Sequence, residues 1–122
     1  MYDKELVIDI LQHIEETIQT LIEGTRHIEN VNELLSSATG VLILDGICMK
    51  LLVIGEEVKN LDKHSNKTLL TKYPAISWRK IMGMRDIIAH HYFEVDADKV
   101  FDVLRNNIPP LLTAVRQIKA AL

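Results

Sequence analysis

An all-α fold, an antiparallel helical bundle arranged around one long central helix, is the architecture this sequence predicts. Three observations carry the prediction. Apolar residues recur at three- and four-residue spacing along most of the chain, and no stretch alternates with the two-residue period of a half-buried strand. Only 5 Gly and 3 Pro interrupt 122 residues. The apolar 48% is mostly Leu, Ile, Val and Ala, with aromatics at 5%, a composition suited to long helices joined by short connections. A chain of this length fits one compact domain over residues 1–122 and leaves little room for a second.

The elements follow in order. Leu6, Ile10, Ile14, Thr17, Ile18, Leu21 and Ile22 place a first amphipathic helix over Asp3 to Glu23, with Gly24 as its natural stop. A shorter helical turn fits within Arg26 to Ser36. Ser36, Ser37 and Thr39 then offer caps for the next element. From Ala38 to Leu61 the apolar residues Val41, Leu42, Leu44, Ile47, Cys48, Leu51, Leu52, Ile54, Val58 and Leu61 cover more than one face, as expected of a central helix buried on several sides. Asp62 to Pro74 is polar and reads as the longest loop. Ser77 opens a helix over Trp78 to Tyr92, and Asp96 another over Ala97 to Asn106. Pro109 and Pro110 break the pattern, after which Leu111, Leu112, Val115, Ile118 and Leu122 form a last amphipathic helix.

A formal charge of -3 gives no global attraction to nucleic acid, so binding of that kind must be local. Trp78-Arg79-Lys80, followed by Arg85 and two histidines, is the place where positive charge gathers. The acids Asp3, Glu5, Asp9, Glu15 and Glu16 read as a solvated helix face. The lone Cys48 lies in an apolar run and reads as a small buried hydrophobe. His13, His27 and His64 lack metal-ligand spacing, so no metal or cofactor is expected. The charged start lacks the order of a secretion signal. Gly40 to Gly55, carrying Asp45 and Lys50, is too short and interrupted to span a bilayer. A cytoplasmic protein is the expectation.

Chemistry concentrates in residues 85 to 92, Arg-Asp-Ile-Ile-Ala-His-His-Tyr. Arginine is permanently cationic and suits phosphate, histidine exchanges protons near neutral pH, and tyrosine offers a hydroxyl. At about 100° per residue, Arg85 and Tyr92 share a stripe with Trp78, Met82 and Ala89, while Arg79, Asp86 and His90 form the adjacent one. Asp86 lies four residues before His90, where a carboxylate can orient an imidazole and favour its protonated form. The same spacing also describes an ordinary surface pair. Ile81, Met84, Ile87 and Ile88 point elsewhere and anchor the helix. Trp78 reads as a packing anchor, with base stacking as the functional alternative.

Arg, four residues, His, one residue, Tyr resembles the signature of the HEPN superfamily, specifically the HepT-type toxins. Ile54-Gly55-Glu56, Ile76 to Trp78, Gly83-Met84-Arg85-Asp86 and Tyr92-Phe93-Glu94-Val95-Asp96 resemble that group as well, so the likeness covers essentially the whole chain. His91 between the motif residues and Phe101, where a tryptophan is often seen, depart from the pattern. The resemblance implies a HEPN-like bundle that forms a homodimer through the motif-bearing helices, and metal-independent endoribonuclease activity. Arg85 and His90 would be catalytic, Asp86 supporting, and Arg79 and Lys80 candidate RNA contacts. It further implies an antitoxin of the minimal nucleotidyltransferase type (MntA-like) that silences the toxin by transferring AMP to Tyr92. A non-catalytic helical module that binds nucleotides, or serves as a transferase's substrate-binding partner, is the competing expectation.

Overall fold

The computed structural model describes residues 2–91 and 96–122, with side chains for all of these except His90 and His91. Among these residues six α-helices follow one another: α1 (Lys4–Thr25), α2 (Asn32–Leu35), α3 (Ala38–His64), α4 (Trp78–His91), α5 (Ala97–Asp102) and α6 (Ile108–Ala121). A 3-10 turn at Leu70–Lys72 lies between α3 and α4, and a π-helical turn at Val103–Asn107 joins α5 to α6. Among the described residues there is no strand. The all-helical prediction holds.

The helix starts follow from side chains that accept otherwise unpaired amide hydrogens. Asp3 accepts from the Leu6 amide at 3.1 Å, and Ser37 from the Gly40 amide at 2.9 Å. Asp96 accepts from the Asp98 and Lys99 amides. Before α2 the bonds are reciprocal: Glu33 accepts from the Asn30 amide at 3.0 Å while Asn30 accepts from the Glu33 amide at 3.2 Å. Ser77 opens α4 through its carbonyl, which accepts from the Lys80 and Ile81 amides.

The core runs along α3, which packs against α1 on one side and α4 on another, while α6 closes on α1. Leu11, Ile14 and Ile18 of α1 and Leu51, Ile54 and Leu61 of α3 are fully buried, as are Ile108, Leu111 and Ile118 of α6. Side chains of this size each contribute about 1.5–3 kcal/mol when fully removed from water. At the margin of the α1–α6 contact, Glu15 accepts hydrogen bonds from Arg116 at 3.2 Å and from Lys119. The Lys119 bond, followed by that of Arg116, holds the Glu15 carboxyl below its ordinary value against the opposing effect of burial.

Three boundaries differ from the sequence expectation. Gly24 lies within α1, which continues to Thr25, and Gly24 does not take the left-handed conformation of a terminating glycine. The end of α1 is instead fixed by Arg105, which donates to the carbonyls of Thr25 and Ile28 and stacks over Phe101 at 5.0 Å. Helix α3 runs on to His64, with Lys63 and His64 in a last turn where cations suit the helix dipole. At 27 residues it is long and apolar enough, by length and composition, to cross a membrane, contrary to the short span read from the sequence. Its buried residues, from Ile47 to Leu61, pack instead into the bundle core. Past α3, Asn66 and Lys67 both adopt positive φ, and the Lys67 amide donates back to the Asp62 carbonyl at 2.8 Å. Finally, Pro109 and Pro110 do not separate α5 from α6 by a loop. They occupy the first turn of α6, where no amide hydrogen is needed, and the wide turn before them closes with the Ile108 amide donating to the Val103 carbonyl.

Candidate functional site at the α3–α4 contact

Helix α4 begins on a fixed anchor. Trp78 is only 8% exposed, and its indole N–H donates to the Tyr73 carbonyl at 2.8 Å. This is the packing role rather than the base-stacking one. Ile81 and Ile88 are buried against the core, as expected. Ile87 is not: at 58% exposed it faces outward, because it lies about 100° round the helix from Ile88. Ile87 is therefore the large apolar residue of the motif helix left uncovered among the described residues.

Glycine permits the close approach of the two helices. A β-carbon on Gly55 would lie 2.9 Å from the Ile81 carbonyl oxygen, 3.0 Å from the Arg85 amide nitrogen and 3.2 Å from the Arg85 β-carbon. Two of these three atoms are backbone, which cannot swing aside. Gly55 thus sets the distance between α3 and the start of the motif.

Next to Gly55, Glu56 reaches the Arg85 guanidinium, with Nε to carboxylate at 3.1 Å. On the other flank Nη1 donates to Asp86 at 2.8 Å. The Asp86 hydrogen bond, then the Glu56 charge, raises the Arg85 pKa above its ordinary value. Arg85 stays 39% exposed, and Nη2 has no partner among the described residues. Two carboxylates therefore hold the planar group at Nε and Nη1 and leave it partly exposed, an arrangement suited to a phosphate oxygen.

The sequence placed Asp86 as the partner that orients His90. Asp86 bonds to Arg85. The His90 imidazole and all of Tyr92 lie outside the described residues, so the Asp86–His90 pair and the Arg85–Tyr92 stripe stand as expectations. Arg79 and Lys80 are both exposed on the first turn of α4.

The open groove beside Arg85, of about 500 Å³, is lined by neither Arg79 nor Lys80. Its cations are Lys59, Lys63, Lys67 and Arg85, and the acids Glu56 and Asp62 line it with them. These lysines went unnoticed in the sequence, although their four-residue spacing at the end of the central helix was the available signal. Among the described residues no group of His, Cys, Asp and Glu is placed to hold a metal ion. His13 meets Glu57 alone, at 3.3 Å.

A helical bundle that fixes an arginine on an open helix face, ahead of a histidine and a tyrosine, is the class of protein defined so far. The chain belongs to the HepT-like family: the family model described as Ribonuclease HepT-like matches residues 14–118. It is 31% identical over 103 residues to "Probable ribonuclease HepT" of Thermococcus cleftensis, covering 84% of this chain and 86% of that protein. A relative in Caldanaerobacter subterraneus subsp. tengcongensis, named as a candidate RNase, is 30% identical over 108 residues, 88% of this chain and 89% of its own. A Methanocaldococcus jannaschii relative, named as a gamma-glutamylcyclotransferase and candidate RNase, is 30% identical over 112 residues, 92% of this chain and 47% of its own. The chain spans about half the length of some of the curated relatives it matches. No solved structure matches it.

Proposed function

We propose that this chain is the ribonuclease toxin of a toxin–antitoxin pair, cutting RNA without a metal in the cleft of a homodimer. The observation that carries the reading is the Arg85 guanidinium, exposed on α4 yet held at two edges by Glu56 and Asp86, five residues before His90 in a HepT-like chain.

RNA brings its own nucleophile. The 2′-oxygen attacks the adjacent phosphorus while a neutral His90 takes its proton, and the bond to the 5′-oxygen breaks as a protonated His90 supplies a proton to that leaving oxygen. The products are a 2′,3′-cyclic phosphate and a 5′-hydroxyl. Arg85 neutralises the charge gathering on the phosphoryl oxygens. One helix carries one such histidine, so two copies of α4 facing each other would supply both the base and the acid. The regulatory part of the reading is AMP transfer from a nucleotidyltransferase antitoxin to Tyr92, seven residues past Arg85 in the sequence, where a bulky anion would block the same cleft.

The test is expression of the chain alone beside its Arg85→Ala and His90→Ala variants, scoring growth, RNA integrity and product ends. Growth arrest and EDTA-resistant cleavage to 2′,3′-cyclic phosphate ends are expected of the unsubstituted chain only. Products with 3′-hydroxyl ends, or cleavage abolished by chelation, reject the mechanism. Intact RNA alongside tight binding to the transferase assigns the chain to the non-catalytic class.

A further inference from the structure

We propose that the groove running from Arg85 along the end of α3 is a phosphate-binding track for single-stranded RNA, with Lys59, Lys63 and Lys67 holding the strand beside the scissile linkage. The proposal rests on the ribonuclease reading above and deepens it. The chain as a whole carries a formal charge of -3, yet this groove sets four cations, Arg85 and the three lysines, against Glu56 and Asp62.

The lysine charges are also unspent. Lys119, Arg116 and Arg85 are engaged in ion pairs, whereas Lys59, Lys63 and Lys67 make none among the described residues and all three are exposed. Lys63 belongs to the last turn of α3, whose carbonyl ends favour a cation there. Lys67 reaches the groove only because the chain turns back through two left-handed residues, Asn66 at φ 58 and Lys67 at φ 57. Such a conformation is costly for lysine, whose β-carbon crowds the following carbonyl. The turn nevertheless returns a third cation to the wall that already carries Lys59 and Lys63.

Length fits as well. From Glu56, which grips Arg85, to Lys63 the helix rises about 10 Å. A stacked strand rises about 3.4 Å along its axis per phosphate, so that wall spans about three nucleotide steps. Lysine heads on mobile stems bind phosphate as point charges without reading bases, so the track adds affinity and direction and leaves the cut site to Arg85 and His90.

The test compares the unsubstituted protein with a variant carrying Lys59→Gln, Lys63→Gln and Lys67→Gln, and with one carrying Lys59→Arg, Lys63→Arg and Lys67→Arg. Two quantities are read: binding of a labelled 2′-O-methyl single-stranded RNA across a salt series by fluorescence anisotropy, and cleavage of an RNA dinucleotide. With about 0.7 counterion released per phosphate contact, the glutamine variant is expected to lose about 2 from the slope of log affinity against log salt. That is roughly a hundredfold in affinity at about 0.1 M salt. Its dinucleotide cleavage should fall far less than its affinity for the longer strand, its circular-dichroism melt should be unchanged, and the arginine variant should bind as the unsubstituted protein does.

Unchanged affinity and slope in the glutamine variant overturn the track even if cleavage persists, and so does an unsubstituted protein that binds no RNA. Lysine-dependent RNA binding with cleavage by no form retains the track and removes the ribonuclease reading. Loss of an acidic protein partner, with RNA affinity intact, assigns the groove to that partner and overturns the proposal.

Discussion

Replacing Gly55 by alanine tests whether contact between α3 and α4 positions the motif arginine. The added methyl carbon would meet the Ile81 carbonyl oxygen at 2.9 Å and the Arg85 amide nitrogen at 3.0 Å, so α4 must move by a few tenths of an ångström. Overpacking of this kind costs about 1–3 kcal/mol. Alanine also favours a helix over glycine by about 1 kcal/mol, which offsets part of the cost. Gly46→Ala isolates the two effects, because Gly46 lies within α3 and its β-carbon would meet nothing within 4 Å. That variant should gain about 1 kcal/mol. The difference between the two variants is then the steric cost alone, about 1–3 kcal/mol, readable as urea midpoints at constant slope. RNA cleavage by Gly55→Ala should fall further than its stability does, since the displaced atoms belong to Arg85. A Gly55→Ala protein as stable as Gly46→Ala, with full cleavage, would refute the reasoning.

Three further outcomes are expected. Glu15 has its folded pKa depressed below 4.5, chiefly by Lys119 and then Arg116, so the stability it contributes is present above pH 4.5 and is lost as pH falls through the folded value. Melting curves of the unsubstituted protein and Glu15→Gln should therefore differ near neutrality and converge in acid; a constant difference would contradict this. Arg105→Ala leaves the Thr25 and Ile28 carbonyls without their charged donor and should cost about 1.5–3 kcal/mol in a denaturant titration, with an effect under about 0.5 kcal/mol excluding a clamping role. Burial, followed by the nearby Asp45 charge, pushes the Cys48 thiol up. Cys48 should therefore stay unmodified by iodoacetamide in the native protein and react once denatured.

The elements that sequence revealed are those decided by near neighbours. Ser37 and Asp96 cap their helices because a short polar side chain can reach an amide two or three residues ahead. Trp78 was legible as an anchor, and so was most of the buried face of α1 and α6, although in α1 Leu6 is exposed while Val7 and Leu11, outside the pattern, are fully buried. Where distant partners decide, the pattern fell short. Nothing near Thr25 foretells that Arg105, 80 residues on, ends α1. Ile87 and Ile88 are equally apolar, and only the placement of α3 and α5 determines which is covered. At the site, Arg85 and Asp86 were found from their motif, whereas Glu56, Lys59 and Lys63 lie on α3 and Lys67 in the turn after it, and they come beside Arg85 only through tertiary packing.

The wide turn at Val103–Asn107 makes residues 97–121 behave as a single rod with one surplus residue wound into it. Because that turn closes on the fifth residue where a regular one closes on the fourth, it absorbs the extra residue and keeps the downstream faces in phase. Ile108, Leu111, Val115 and Ile118 thereby stay buried, and Arg116 and Lys119 stay within reach of Glu15; the same residues wound as regular helix would be turned by about 100°. The stretch Arg105-Asn106-Asn107 acts as a slack coil that lets the chain carry one more residue without rotating its apolar stripe.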